Sequence, residues 1–202
     1  MSAEEWNARY SESGFAYGTE PNDFLKSAFR NLPKGDVLML ADGEGRNGVF
    51  LATQGYRVTS VDWSSVGLEK AQALARERGV QITTKLCDLA EFRIEPCRWD
   101  GIVSIFCHLP KPARQRLHWA CVQGLKQDGT FLLEAYSRKQ LRFGTGGPKR
   151  EELLMSLDET TEELRGLTIE LAQEIERDVF EGKYHAGRSA VIQIIARKSQ
   201  RR

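Results

Sequence analysis

One stretch constrains this chain more than any other. An unbroken apolar run, Val37-Leu38-Met39-Leu40-Ala41, stops at Asp42-Gly43-Glu44-Gly45 and restarts with helical spacing from Arg46 to Ala52. Apolar residues without alternation read as a strand covered on both faces. Strand, glycine turn and helix make the first βα unit of a nucleotide-binding sheet. Lacking Cβ, Gly43 and Gly45 permit positive φ and a close approach of backbone to a ligand. The ligand's oxygens would meet free N–H groups at the start of the helix.

The rest of the chain extends that unit. Tyr56 to Val61, ended by Asp62, reads as a second strand, and Ser64 to Arg78 as a helix stopped by Gly79. Val80–Leu86 reads as a third strand ending at Cys87-Asp88, and Trp99–Phe106 as a fourth, followed by Cys107-His108. A helix from about Lys111 to Leu125 leads to a fifth strand, Thr130–Tyr136. Strict alternation of this kind implies a parallel sheet with helices on both faces. The pattern then changes: Ser137 to Arg150 is polar and glycine-rich and reads as a long functional loop. A charged helix follows from Asp158 to Arg165. Thr168–Phe180 and Gly187–Lys198 read as an antiparallel hairpin. At the N-terminus Trp6, Tyr10 and Tyr17 precede a helix starting near Asp23. This aromatic stretch either packs over the sheet or closes over a ligand as a lid.

Composition removes other classes. With 202 residues, 41% of them hydrophobic, and a net charge of +1, one domain with a well-filled core is expected. Nothing favours nucleic acid or a membrane as partner. No stretch has the length of a membrane span, and the start MSAEEW is not a signal peptide, so a cytoplasmic monomer acting on a small molecule is the expectation. The basic tail Arg197 to Arg202 reads as a solvated end. Cys87, Cys97, Cys107 and Cys121 have no metal-ligand spacing and read as reduced thiols, so no metal is expected.

Gly43-Glu44-Gly45-Arg46-Asn47-Gly48 matches GxGxxG, and Asp62 follows about twenty residues later, which alone points to a nicotinamide dinucleotide. Asp88 and the terminal hairpin argue otherwise, because such oxidoreductases need neither, and the chain is short for a separate substrate domain. Asp42, Asp62, Asp88 and Cys107-His108 all stand at carboxyl ends of strands, where open α/β sheets bind ligands. An NAD(P)-binding oxidoreductase and a non-catalytic binding protein of the same fold remain alternatives.

Through LADGEGRN, VDWS, CDL, LEAY, GGP and EGKYHAGRSAV the chain resembles class I S-adenosylmethionine-dependent methyltransferases, and among them the small tellurite-resistance-type enzymes. The resemblance implies an α/β three-layer sandwich with a mostly parallel, seven-stranded Rossmann-like sheet ending in an antiparallel hairpin. Residues 1–33 would form a lid or helix, 34–136 the cofactor-binding half and 137–202 the acceptor side. It further implies S-adenosylmethionine as cofactor. Gly43 and Gly45 would line its methionine part, Asp62 would take the ribose hydroxyls and Asp88 the adenine amino group, with Asn47, Trp63 and Leu89 alongside. Phe106, Cys107 and His108 would lie near the sulfonium, and Tyr17 would close the methionine end. The first motif departs from the usual pattern: Met39 replaces an acid and Ala41 a glycine, so Asp42 is expected to hold the cofactor ammonium. His108, Glu134, Tyr136 and His185 are the candidate bases or acceptor ligands. A salt bridge to Arg177 or Arg188 is the structural reading of Glu134, and Arg177 could equally bind an anionic acceptor. The methyl acceptor is expected to be a small molecule, such as a thiol or a chalcogen oxyanion.

Overall fold

The computed structural model describes residues 2–199. Helices α1 (Ala3–Tyr10) and α2 (Asp23–Ala28) precede β1 (Asp36–Leu40) and α3 (Arg46–Thr53). Next come β2 (Arg57–Asp62), α4 (Ser65–Glu77), β3 (Thr83–Leu86), β4 (Trp99–Ile105), α5 (Lys111–Gly124) and β5 (Leu125–Tyr136). The chain finishes with α6 (Leu157–Glu163), β6 (Thr168–Glu181) and β7 (His185–Arg197). These strands form one seven-stranded sheet in the order β3-β2-β1-β4-β5-β7-β6. Strands β1 to β5 pair in parallel, and β7 runs antiparallel to both β5 and β6.

The apolar run of β1 serves two cores at once, because successive strand side chains point to opposite faces. Leu38 and Leu40 pack with Ile102, Phe131 and Leu133 beneath Leu117 and Cys121 of α5. Val37 and Met39 pack with Val103 and Leu132 beneath α2, α3 and α4, through Leu25, Leu51 and Leu74. Met39 fills a core position, which accounts for an apolar residue there. Strand order reverses at β1–β4, opening a crevice at their carboxyl ends.

Several boundaries differ from the sequence reading. Helix α1 was not anticipated, yet Ser2 and Glu5 cap it reciprocally: Glu5 N donates to Ser2 Oγ and Ser2 N to Glu5 Oε2. Strand β3 begins at Thr83 rather than Val80, and β5 starts at Leu125, directly after α5. The polar loop after β5 contains a 3-10 turn at Arg138–Arg142, where Ser137 Oγ accepts from Lys139 N. The hairpin link shortens to Gly182-Lys183-Tyr184, so Glu181 pairs directly with His185. The tail is anchored as far as Lys198, whose ammonium donates to the carbonyls of Val122 and Leu125 at the end of α5. Gln200, Arg201 and Arg202 lie outside the described residues. Among the described residues no helix is long and apolar enough to cross a membrane.

Candidate active site

A cavity of about 750 Å³ opens at the carboxyl ends of β1, β2 and β4, inside the size range of small-molecule sites. The glycine turn, Asp62-Trp63 and Asp88 to Ala90 line one end. Phe106 to Pro110, Tyr136, Gly146 to Arg150 and His185 line the other.

At the first end the backbone is turned out of regular geometry. Ala41 (φ 51°) and Gly43 (φ 54°) both sit in the left-handed region, so the position where a glycine is usual does require that conformation. Gly43 N donates to Asp62 Oδ2 at 2.8 Å, and Ser64 N donates to Asp62 Oδ1 at 2.9 Å. Each carboxylate oxygen keeps a further lone pair, and Asp62 faces the cavity. Burial raises its carboxyl above the ordinary value. Asp88 Oδ1 accepts from Ala90 N at 2.8 Å and lies on the same wall with Trp63 and Leu89. Asn47 lines the cavity while its Oδ1 accepts from Asn22 N.

Gly45 is a correction. It does not line the cavity: a Cβ there would stand 2.5 Å from Ala71 Cβ, so this glycine lets α3 approach α4. Gly48 likewise makes room for Asp42. The fingerprint glycines therefore make room for the protein's own groups, Tyr10 at Gly43, Ala71 at Gly45 and Asp42 at Gly48.

Asp42 lines the cavity but spends its oxygens internally, on Ser60 Oγ (2.6 Å) and Gly48 N (3.2 Å). Burial pushes its carboxyl up to about 7, against those two hydrogen bonds, which favour the anion. Between the ordinary 3.8 and about 7 the folded state holds one more proton than the unfolded chain. Its contribution to stability therefore falls as pH rises across that window, by up to about 4 kcal/mol. Asp42→Asn is expected to remove this loss. Its urea midpoint should exceed that of the wild type at pH 7.5, and the gap should shrink toward pH 4. A gap that does not change with pH would refute the assignment.

The N-terminal arm forms the cavity's cover and also packs. Tyr10 lies against Gly43 and Gly67 so closely that a Cβ on either would collide with it. Ser64 Oγ donates to Asn7 Oδ1, and Glu44 Oε2 accepts from Ala16 N at 2.7 Å. Lys183 N of the hairpin turn donates to Ala16 O. The arm is thus clamped between the glycine turn and the terminal hairpin. Tyr17 faces the cavity, its hydroxyl accepting from Arg9 Nη1.

The second end is a box of rings. Phe106, held at φ 53° by the end of β4, stacks on Tyr136 at 4.5 Å and meets His185 edge-on at 4.8 Å. Tyr17 lies 4.6 Å from His185. The buried Tyr136 hydroxyl has no hydrogen-bond partner among the described residues, although Ser189 is close. Burial raises it above its ordinary value, so it holds its proton and can only be a base when that proton is taken elsewhere. Burial also pushes the Cys107 thiol up to about 12, which keeps it protonated.

Two of the expected bases are corrections. His108 lines the cavity, but Leu153 O can only accept, so Nδ1 donates to it (2.9 Å), while Nε2 accepts from Tyr136 N. Both nitrogens are committed, and burial lowers the ring to about 4. Glu134 is 0% exposed and absent from the cavity wall. It accepts from Asn22, Gln193 and both prongs of Arg177. Arg177 is therefore spent on Glu134 and is not available to an acceptor; Lys149, Arg150, Arg9 and Arg46 are the cations on the cavity wall.

His185 has the opposite environment. It is buried, it lines the cavity, and Nδ1 lies 3.3 Å from Glu181 Oε2. Glu181 also accepts from Arg46 Nη2 (2.6 Å) and Asn22 Nδ2 (2.8 Å). Glu181, Asn22 and Arg46 were not foreseen as site residues. Once the hairpin link is shortened to three residues, strand pairing alone places Glu181 opposite His185.

Residues 37–129 match a family described as "Methyltransferase domain". No curated protein matches the chain. Among solved structures, one concerned with converting a disulfide bond into a thioacetal group during echinomycin biosynthesis superposes with a TM-score of 0.79. It is 17% identical, over 98% of this chain and 91% of that one. TehB from Haemophilus influenzae (TM-score 0.72, 20% identity) is similar over 88% of this chain, which spans 62% of TehB. A SAM-dependent methyltransferase from Methanosarcina mazei (TM-score 0.69, 18% identity) is similar over 87% of this chain and 98% of that one. Residues 37–129 thus match a methyltransferase domain, and the chain has the seven-stranded Rossmann-like fold of the solved class I methyltransferases it resembles.

Proposed function

We propose that this chain binds S-adenosylmethionine in the cavity and methylates a soft, small-molecule nucleophile. The observation that carries the reading is that one cavity joins the Gly43–Asp62 turn to the ring-lined box. The residues fit the group. Asp62 has lone pairs for two ribose hydroxyls, Asp88 and Leu89 flank the space for a base, and Gly43 lines the same cavity. Aromatic faces attract a sulfonium by its charge, and Phe106, Tyr136 and Tyr17 supply them. When bound, the cofactor supplies an electrophilic methyl on sulfur and departs as a neutral thioether.

Placing a lone pair behind that methyl is then the enzyme's main task. A box of apolar rings suits a polarisable sulfur better than a strongly hydrated acceptor. The structural neighbours concerned with a disulfide-to-thioacetal conversion and TehB favour the same class, as likenesses of fold. Incubation with methyl-labelled S-adenosylmethionine and a panel of thiols, tellurite and a catechol tests the reading. Label should move to a thiol or to tellurium, with equimolar S-adenosylhomocysteine. Transfer to the catechol alone, or to none of them, would contradict it.

A further inference from the structure

We propose that His185 is the general base of this site, positioned by Glu181, and that the natural acceptor is a protic nucleophile of the thiol class rather than a ready-made oxyanion. The inference rests on the methyltransferase reading above and adds the proton to it.

The argument begins with Glu181. Burial alone would favour its neutral form, but His185 and Arg46 outweigh burial and lower the carboxyl to about 2. An ionised carboxylate can only accept, so Nδ1 of His185 carries the proton and donates to Glu181. Nε2 is then the ring atom with the free lone pair, and no hydrogen bond occupies it among the described residues. Burial keeps the imidazole below its ordinary value in spite of Glu181. The groups that face it are Glu181 on β6, Arg46 on α3, Arg9 on α1, Tyr17 in the arm, Tyr136 on β5 and His108 after β4. Two of these are cations, which also oppose its protonation. The ring is therefore a neutral base at physiological pH, ready in the tautomer that catalysis needs.

The other candidates beside it are less suited. His108 has both nitrogens committed, and Tyr136 and Cys107 hold their protons. A held base is needed only for an acceptor that arrives protonated. In the step, the acceptor's S–H proton passes to Nε2 and the freed lone pair forms the S–CH3 bond. The pair of the broken sulfonium–methyl bond stays on the departing thioether. The imidazolium formed is balanced by Glu181 and returns its proton to solvent.

The test compares two thiols and reads the histidine directly. A nitro-substituted thiophenol is already ionised at neutral pH and needs no base; 2-mercaptoethanol is mostly protonated there. In His185→Gln, kcat for 2-mercaptoethanol is expected to fall about 10²–10⁴-fold, and kcat for the thiophenolate by no more than about 10-fold. Nitrogen NMR of the unliganded wild type should show His185 as the Nδ1–H tautomer, titrating below the ordinary histidine value. In Glu181→Gln that tautomer should lose its dominance and the acid limb of the 2-mercaptoethanol rate should shift. Equal losses for both thiols, or an Nε2–H tautomer in the wild type, would overturn the base. Wild-type failure with the thiophenolate would instead overturn the methyltransferase reading on which it rests.

Discussion

Replacing Arg177 by methionine is expected to cost about 3–5 kcal/mol of folding stability. Glu134 lies inside the sheet, on β5, with none of its surface exposed. Its two oxygens face the guanidinium fork from β6, the Gln193 amide from β7 and the Asn22 amide from the arm. Removing the fork leaves a buried carboxylate with only neutral partners, and water cannot reach it. Urea denaturation checks this: the midpoint should drop with the slope nearly unchanged. The double variant Glu134→Leu with Arg177→Met should recover most of the loss, because the buried charge leaves with its partner. A loss below about 1 kcal/mol in the single variant would place the pair among exposed ones, which contribute little.

Asp62→Ala is expected to weaken S-adenosylhomocysteine binding at least about 100-fold. Two hydrogen bonds to a charged acceptor contribute about 1.5–3 kcal/mol each, and the same carboxylate fastens the turn through Gly43 N and Ser64 N. Asp62→Asn should fall between wild type and Ala, since an amide oxygen still accepts one of those N–H groups. Calorimetric Kd values for the three proteins give the comparison. An Ala variant that binds like the wild type would remove Asp62 from the ligand.

The parts of the fold readable in the sequence were those with local periodicity. Leu38 and Leu40 alternate with Val37 and Met39 between two apolar cores, so an unbroken apolar run was the correct sign of a doubly covered strand. Edge strand β3 was misjudged at its start because an edge carries little apolar pattern: Thr83, Lys85 and Leu86 are all exposed. Helix α1 carried its signal in Ser2 and Glu5, which the run of aromatic residues obscured. The candidate site was legible at strand ends, where Asp62 and Asp88 declare themselves by position. It was not legible where function depends on long-range partners. Glu134, a plausible base by strand position, pairs with Arg177, 43 positions later, and sequence left that salt bridge as only one of its open readings. His108 is silenced by the backbone of Leu153 and Tyr136. His185 was one of four candidate bases until hairpin register set it beside Glu181. Gly45 matched a motif letter for letter and serves helix packing instead.

The most direct test of the central claim is calorimetric titration of the wild-type protein with S-adenosylmethionine and S-adenosylhomocysteine, alongside NADH and NADPH. Saturable one-site binding of the first pair, with none of the nicotinamides, is the result expected from the Gly43–Asp62 turn opening into the ring-lined box. Binding of a nicotinamide dinucleotide and neither adenosyl ligand would contradict the account and return the GxGxxG segment to its literal meaning.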